Sequence, residues 1–351
     1  MTQLDYGTAG YQGLSYSRQG TFHVCARKYQ IENAFGLKTR NDSVTFAFGH
    51  AVAGGIQKYF ETGSEQAAVI ETAYHYSMPW EDMGTTSEQR GKKNLWYAIL
   101  AVQTYIQQIN SILHGDLAEL QEYELAYLSP TEEEPEGKPA VELQFRIELE
   151  HGFVYEGHID LIIRHKKTGE YAILELKTTT FRDPNEAIYG KSGQALSYSI
   201  VLDHVVGHAN ASYKIFYLVW SSSQQKFFFM PFNKQAKQRL DWINNLIRDT
   251  EIIQYYQASA EDGIPYPTNG ASCFNFFRQC EYYSTCEMED ETLLRVYGKG
   301  TSDEAVSFEY QDNTDFIFTL DDIINTQVDK IEHHTGLDLD NGTEHGNIIE
   351  V

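Results

Sequence analysis

Four cysteines and eight prolines are all that the 351 residues contain. So few cysteines exclude a disulfide-built scaffold, and so few prolines exclude a proline-rich linker protein. Long apolar runs are missing too. Stretches such as Trp96 to Val102 fall far short of the roughly 18 residues of a membrane span. Met1 to Ser15 holds no apolar run, so no signal peptide is visible, and the chain reads as soluble, intracellular and cytoplasmic with no membrane partner. There is no G-x4-G-K-[ST] phosphate loop, so the chain carries no nucleotide-driven motor. Basic residues are also scarce: 27 Lys and Arg stand against 50 Asp and Glu, for a net charge of −23.

Taken whole, that charge argues against a nucleic-acid partner. Its location reverses the argument. Residues 1–114 carry 9 basic and 9 acidic groups, and residues 151–286 carry 13 of each. The excess lies in residues 115–150, with 2 basic against 11 acidic, and in residues 287–351, with 3 against 17. The remainder is neutral, and a neutral domain can present a basic groove.

What is present is a 42 % hydrophobic chain with two successive periods. Residues 15–36 read as a turn, a short helix and a glycine stop, and Thr45 to Phe60 recurs apolar at helical spacing. Its Gly49, Gly54 and Gly55 mark close approach of another backbone or a ligand. Residues 88–113 form an amphipathic helix through Leu95, Ile99, Val102, Ile106, Ile109 and Leu113. Strands follow at Tyr123–Leu128, Ala140–Leu149, Phe153–Ile163 and Tyr171–Lys177, with Gly169 at a hairpin tip. Then come a helix over Asn185–Leu202, a strand pair at Ser212–Trp220 and Lys226–Met230, and a long helix over Asn233–Tyr256. The division expected is a helical N-terminal region (1–114), a core (115–286) and an acidic appendage (287–351). Within the appendage, Glu304–Phe318 offers a strand and Leu320–Ile331 a short helix. No internal repeat is visible.

The chemistry concentrates in two strands. Asp160 lies in Tyr155-Glu-Gly-His-Ile-Asp-Leu-Ile-Ile163, and Glu175 and Lys177 lie in Ile173-Leu-Glu-Leu-Lys-Thr178. Residues two apart in a strand share a face, so Glu175 and Lys177 face together, and a hairpin brings Asp160 beside them. Two carboxylates and an ammonium among Ile and Leu are costly to bury as plain structure. A lone E-x-K is more often a cross-strand ion pair, but the flanking apolar strands favour a site. A divalent cation relieves the cost, since Mg²⁺ takes one or two carboxylates plus waters and phosphate oxygens. Lys177 is then available to hold the attacking water.

Gly157-x-Ile159-Asp160 followed by Glu175-x-Lys177-Thr178 resembles the signature of the PD-(D/E)XK nucleases. Gln194-x-x-x-Tyr198, separated from Lys177 by sixteen residues, resembles the extra motif of their RecB-like branch. Four apart, Gln194 and Tyr198 share one helix face, which the resemblance directs at the active site and DNA. The resemblance covers residues 15–286. It implies an α/β (α+β) fold of restriction-endonuclease type, a mixed sheet flanked by helices, with a helical N-terminal region and a cysteine-ligated clamp. It also implies Asp160, Glu175, Lys177, Gln194 and Tyr198 as catalytic residues and Mg²⁺ or Mn²⁺ as the metal.

Cys273, Cys280 and Cys286 are spaced C-x6-C-x5-C, and Cys25 lies far upstream. Four thiolates fit either Zn²⁺ or an iron–sulfur cluster. Iron–sulfur members of the RecB-like branch carry one Cys before the core, in a C-P-R-x-Y-type segment, and three after it. Cys25-Ala-Arg-Lys-Tyr29 matches that segment except for Ala26. The resemblance therefore implies a [4Fe–4S] cluster on the four cysteines, with Zn²⁺ as the alternative. Cys273 is the least regular ligand, because Phe277 stands where the family has the nearer Cys.

The family's first-helix His, in a Gly-x-x-x-His context, is replaced here by Ala53, and His50 is the candidate substitute as a metal ligand. His158, two residues before Asp160, is a candidate contact, and Glu142 resembles the acidic residue of the first core strand in such nucleases. Arg27 and Lys28, with Gln194 and Tyr198, are candidate DNA contacts. Ser15, Arg18, Arg90, Lys92, Lys93, Arg182 and Lys191 are further phosphate-binding candidates. The expected partner is DNA, as ends or single strands, together with a recombination or replication protein. The implied setting is an exonuclease of phage or bacterial DNA recombination, replication or repair, in a bacterial host cell if phage-encoded. The rival is a non-catalytic DNA-binding or scaffold protein that keeps the fold.

Overall fold

The computed structural model describes residues 13–37, 44–77, 91–110, 117–128, 137–205, 212–275, 278–298 and 314–326. Arg90 and the acidic segments 299–313 and 327–351 lie outside them.

An eight-stranded mixed sheet organises the chain: β1 (Gly13–Leu14), β2 (Tyr123–Leu125), β3 (Val141–Glu148), β4 (Val154–His165), β5 (Tyr171–Thr179), β6 (Ser212–Ser221), β7 (Lys226–Gln235) and β8 (Phe316–Thr319). The order is β8-β3-β4-β5-β6-β7, with β1 and β2 also paired to β4. The β3–β4, β4–β5 and β6–β7 pairs are antiparallel, whereas β5–β6 and β3–β8 are parallel. Gly169, at φ +75°, makes the tight β4–β5 turn that a side chain would strain. β6 reads as a nearly continuous apolar run because it is central and buried on both faces. Pro231 is tolerated in β7 because that strand is an edge.

Helices cover both faces. On one side lie α1 (Tyr16–Val24), α5 (Gly193–Val205) and α6 (Ala236–Glu261). On the other lie α2 (Val44–Thr62), α3 (Glu65–Ser77) and α4 (Leu95–Ile109). Strand alternation feeds the two cores: Ile173, Ile215, Tyr217 and Val219 point to the α5–α6 side, and Leu174, Leu176, Phe216, Leu218 and Trp220 to the α2–α4 side. Helix α3 has no counterpart in the sequence reading, because its buried stripe of Ala68, Thr72 and Tyr76 holds one large apolar residue only. Ala68 and Thr72 seat against Gly55 of α2, where an added Cβ would collide with the Thr72 hydroxyl and lie 2.8 Å from Val102.

A third, small core joins the two ends of the fold: Ile31, Leu37, Tyr282 and Leu293, flanked by Cys280, Cys286 and Met288. The Tyr282 hydroxyl donates to the Leu37 carbonyl at 2.8 Å. Residues after Cys286 are therefore not simply an appendage. Asp290 opens α7 (Asp290–Gly298), and β8 extends the sheet beside β3, where Asp315 accepts from the Gln144 N–H at 2.9 Å. Residues 320–326 are helical and bury Ile323. Among the described residues no helix is long and apolar enough to cross a membrane.

Candidate active site

β4 and β5 are hydrogen-bonded only from Leu161–Leu174 to Arg164–Tyr171. Beyond that they part, since β5 continues along β6 to Thr179 while β4 meets β1 at Val154 and Tyr155. The notch between them holds the site. Leu176, without a strand partner on that side, donates its N–H to Asp160 Oδ2 at 2.8 Å. Ile173 fixes the facing of β5, so Glu175 and Lys177 point toward α5 as their spacing predicts, and Lys177 Nζ donates to Glu175 Oε1.

β3 and β4 change the face they present at this level. Val141 and Leu161 pack with α2–α4, whereas their neighbours two residues away, Leu143 and Ile159, pack with α5–α6. A regular strand keeps residues two apart on one face. The inversion falls on Glu142 and Asp160, which oppose each other between the Val141–Leu161 and Leu143–Ile159 pairs. Glu142 takes φ +49°, in the left-handed region that side chains rarely occupy. Gln57 of α2 holds this point, its amide donating to Glu142 Oε1 and lying 3.5 Å from the Asp160 carbonyl oxygen.

The electrostatics follow from crowding acids together. Glu175 is 1 % exposed, and burial, then the Asp160 charge, pushes its carboxyl up to about 8 against the pull of Lys177. Its Oε2 is buried and has no hydrogen-bond partner among the described residues. Asp160 is raised by burial, opposed by Lys177, the Leu176 N–H and His158. Glu142 is exposed as a residue, yet its carboxyl is crowded enough that desolvation and then Asp160 push it up to about 7. For Lys177, burial pulls the ammonium down, but Glu175 and Asp160 outweigh it and hold it charged.

On the α5 face, Gln194 Nε2 donates to the Tyr198 hydroxyl at 2.8 Å. The Tyr198 ring meets Phe145 edge-on at 5.8 Å and lies over Gly157, where an added Cβ would come within 2.6 Å of Phe145. Burial, then Glu175 and Asp160, raises the Tyr198 phenol well above its ordinary value. The helix pair named from sequence thus faces the carboxylates.

Several expectations are corrected. His50 does not join the carboxylates. Its ring stacks parallel to Phe46 and meets His75 edge-on at 4.6 Å, and burial and then His75 lower its pKa. The α2 side chain that reaches the acids is Gln57, one turn beyond Ala53, which the sequence reading missed. Its only signal was the four-residue spacing from the family's His position. Arg27 is not a DNA contact: at 1 % exposure it donates to the Cys286 and Met288 carbonyls at 2.9 and 2.8 Å, to Gln30 and to Asp290. Lys28 is taken by Glu281 at 2.9 Å and Glu32 at 3.4 Å. His158 is exposed and acts on Asp160 through charge.

The four cysteines are half-buried and gathered in one region, where Cys280 N–H donates to the Cys273 carbonyl at 2.8 Å and Asn269 ties the Val24 carbonyl to the same turn at 2.8 Å. Burial raises the Cys286 thiol first, and the neighbouring Cys273 and Cys280, then Glu287 and Cys25, raise it further. Yet among the described residues no three His, Cys, Asp or Glu side chains close around a metal position. The Cys273 and Cys286 thiols turn instead to the Asn269 and Tyr283 carbonyls.

A family model, the PD-(D/E)XK nuclease superfamily, matches residues 13–287. The chain belongs to that superfamily. No curated protein matches the chain. In this PD-(D/E)XK protein the match opens at β1 and closes one residue after Cys286, so it takes in the notch and all four cysteines and leaves out α7 and β8. Membership brings metal-dependent nuclease chemistry and a nucleic-acid substrate.

Proposed function

We propose that this protein is a Mg²⁺- or Mn²⁺-dependent deoxyribonuclease of the RecB-like branch. The observation that carries the reading is the notch where Asp160, Glu175 and Lys177 meet, with Glu175 Oε2 buried and unpaired. A buried carboxylate oxygen without a donor is an energetic defect that a cation repairs. The donor set suits a hard cation, which takes one or two carboxylates and completes its shell with waters and phosphate oxygens. Asp160 and Glu175 would hold it, and the bound cation supplies charge stabilisation at the phosphoryl oxygens and acidifies water.

The chain's own residues do the rest. Lys177, kept charged by Glu175 and Asp160, orients the attacking water through its ammonium. Leu176 N–H and Gln57 fix the Asp160 strand, so the carboxylate arrives preorganised. Gln194 and Tyr198, locked by their mutual hydrogen bond, line the face along which the DNA backbone lies. Action as an exonuclease, in phage or bacterial recombination, replication or repair, is supported by the sequence resemblance. Digestion of end-labelled linear and circular DNA with Mg²⁺ or Mn²⁺ tests both parts. Lys177→Ala is expected to abolish cleavage, and equal digestion by both proteins overturns the mechanism. Cutting of circular DNA overturns exonuclease action.

We also propose a [4Fe–4S] cluster on Cys25, Cys273, Cys280 and Cys286. It is supported by the gathering of all four thiols where the N-terminal segment meets the C-terminal trio. Protein purified without oxygen is expected to be coloured and to contain iron and sulfide. Colourless protein with one zinc per chain overturns it.

A further inference from the structure

Tyr217 lies in the middle of β6, and across the parallel β5–β6 pair it is the residue registered with Glu175. Its ring packs in the α5–α6 core with Ile173, so it rises on the sheet face that Glu175 and Lys177 share. Neighbouring strands lie roughly 4.8 Å apart, which makes registered side chains on one face direct neighbours. The electrostatics agree. Burial raises the Tyr217 phenol well above its ordinary value, Ser192 opposes the rise, Glu175 adds to it and Lys177 opposes it. Tyr217 in turn is among the groups that hold the Lys177 ammonium charged. The ring has little freedom, since Tyr189 lies at 5.1 Å and Phe232 meets it edge-on at 6.1 Å.

Packing does not require the hydroxyl. Ile215 and Val219, the neighbours of Tyr217 on the same face, are apolar, and a phenylalanine ring would fill the same space. Tyr217 is 1 % exposed, and its hydroxyl closes no hydrogen bond among the described residues. Burying such a group unpaired costs stability. Glu175 Oε2 has the same defect on the adjoining strand. The two orphaned atoms complement each other, one an O–H donor and the other a carboxylate acceptor. Tyr198, the other phenol that the Glu175 charge reaches, already receives Gln194. A carboxylate offers about four lone-pair directions. Lys177 uses one at Oε1 and a cation needs another, so a phenol donor can be taken up beside both.

Carboxylates that hold metal ions are themselves held by hydrogen bonds from the surrounding protein, which fix their orientation. We infer that Tyr217 is a positioning residue of the cation site: its hydroxyl donates to the Glu175 carboxylate and fixes the orientation in which that carboxylate takes the metal. This rests on the proposed nuclease site, whose metal affinity it specifies.

In the test, full-length protein is titrated with Mn²⁺ by calorimetry in the absence of DNA and melted with and without the metal. The parent is expected to bind, and Glu175→Gln to lose that binding. Tyr217→Phe, which removes the hydroxyl alone, is expected to bind Mn²⁺ about ten- to a hundredfold more weakly. Its melting temperature in chelator is expected to equal or exceed the parent's, because an unpaired buried hydroxyl has gone. Tyr105→Phe is the matched control, since the Tyr105 hydroxyl is likewise buried and unpaired but lies in the α2–α4 core. It is expected to bind as the parent does, and so is Ser192→Ala. Unchanged Mn²⁺ affinity in Tyr217→Phe overturns the inference and spares the metal site. A loss shared by Tyr105→Phe or Ser192→Ala overturns it too, as a packing effect or a contact made through Ser192. So does a Tyr217→Phe protein that melts lower in chelator, which makes the hydroxyl structural. A parent that binds Mn²⁺ no better than Glu175→Gln removes the proposed site itself, and the inference with it.

Discussion

The Gln57 amide donates to the Glu142 carboxylate where β3 and β4 invert, so a side chain from one helical layer pins a strained residue beside Asp160. A non-glycine residue at positive φ inside a strand persists only where its surroundings hold it. Gln57→Ala is expected to slow Mg²⁺-dependent DNA hydrolysis about tenfold or more, because small displacements of a reacting group are costly. Gln57→Glu is expected to be worse, since it sets a further carboxyl against Glu142 and beside Asp160. Steady-state rates on one linear substrate, with melting curves alongside, separate the loss of activity from a loss of fold.

Glu175 makes stability fall with rising pH in metal-free protein. Its folded-state value, about 8, stands above the ordinary 4.5, so the native state keeps a proton that the unfolded chain has released. The stabilising contribution is complete below about 4.5 and is lost as pH rises through about 8. Glu142, pushed up to about 7, adds a slope of the same sign. Melting in a chelator between pH 5 and 8 is expected to show this decline, and Glu175→Gln to flatten it while abolishing cleavage. Added Mg²⁺, which favours the ionised form, is expected to stabilise more at pH 8 than at pH 6.

Arg27 clamps the two ends of the matched region. Its guanidinium serves two carbonyls, Gln30 and Asp290 from a buried position. Arg27→Ala is expected to destabilise the fold by about 3–5 kcal/mol, because it leaves Asp290 and the carbonyls unpaired. Arg27→Lys is not expected to rescue it, since a single ammonium cannot reproduce the planar fork. Denaturant melts measure the loss.

Two glycine substitutions are expected to act in opposite directions. Gly55→Ala drives a methyl into Thr72 and Val102 at the α2–α3 contact and is expected to cost about 1–3 kcal/mol. Gly20→Ala, at an exposed position of α1 with nothing within 4 Å, is expected to stabilise by up to about 1 kcal/mol. Thermal melts of the two variants check both signs.

Much of the site was legible because its signals are local. The two-residue spacing of Glu175 and Lys177 and the four-residue spacing of Gln194 and Tyr198 each set a shared face, and in the structure both faces meet the notch. The succession of most strands and helices along the chain was legible for the same reason. Less local features were not. Helix α3 has a weak apolar stripe, Ala68, Thr72 and Tyr76, and Arg27 looks like any surface cation until Asp290, 263 positions away, closes on it. The acidic stretch after Cys286 has the composition of a free tail, yet β8 docks on β3 because that edge had backbone groups left to satisfy.

The sequence by itself determined the strand and helix periods, the placing of acids and lysine on one strand face, and the superfamily they mark. The tertiary structure alone decided that β4 and β5 part to open the notch, that Gln57 rather than His50 reaches the acids, and that Arg27 and Lys28 are taken by carboxylates. The reason is physical. A period is set by neighbours in the chain, whereas a side chain's partner is set by which distant surfaces pack together and what each must bury or satisfy.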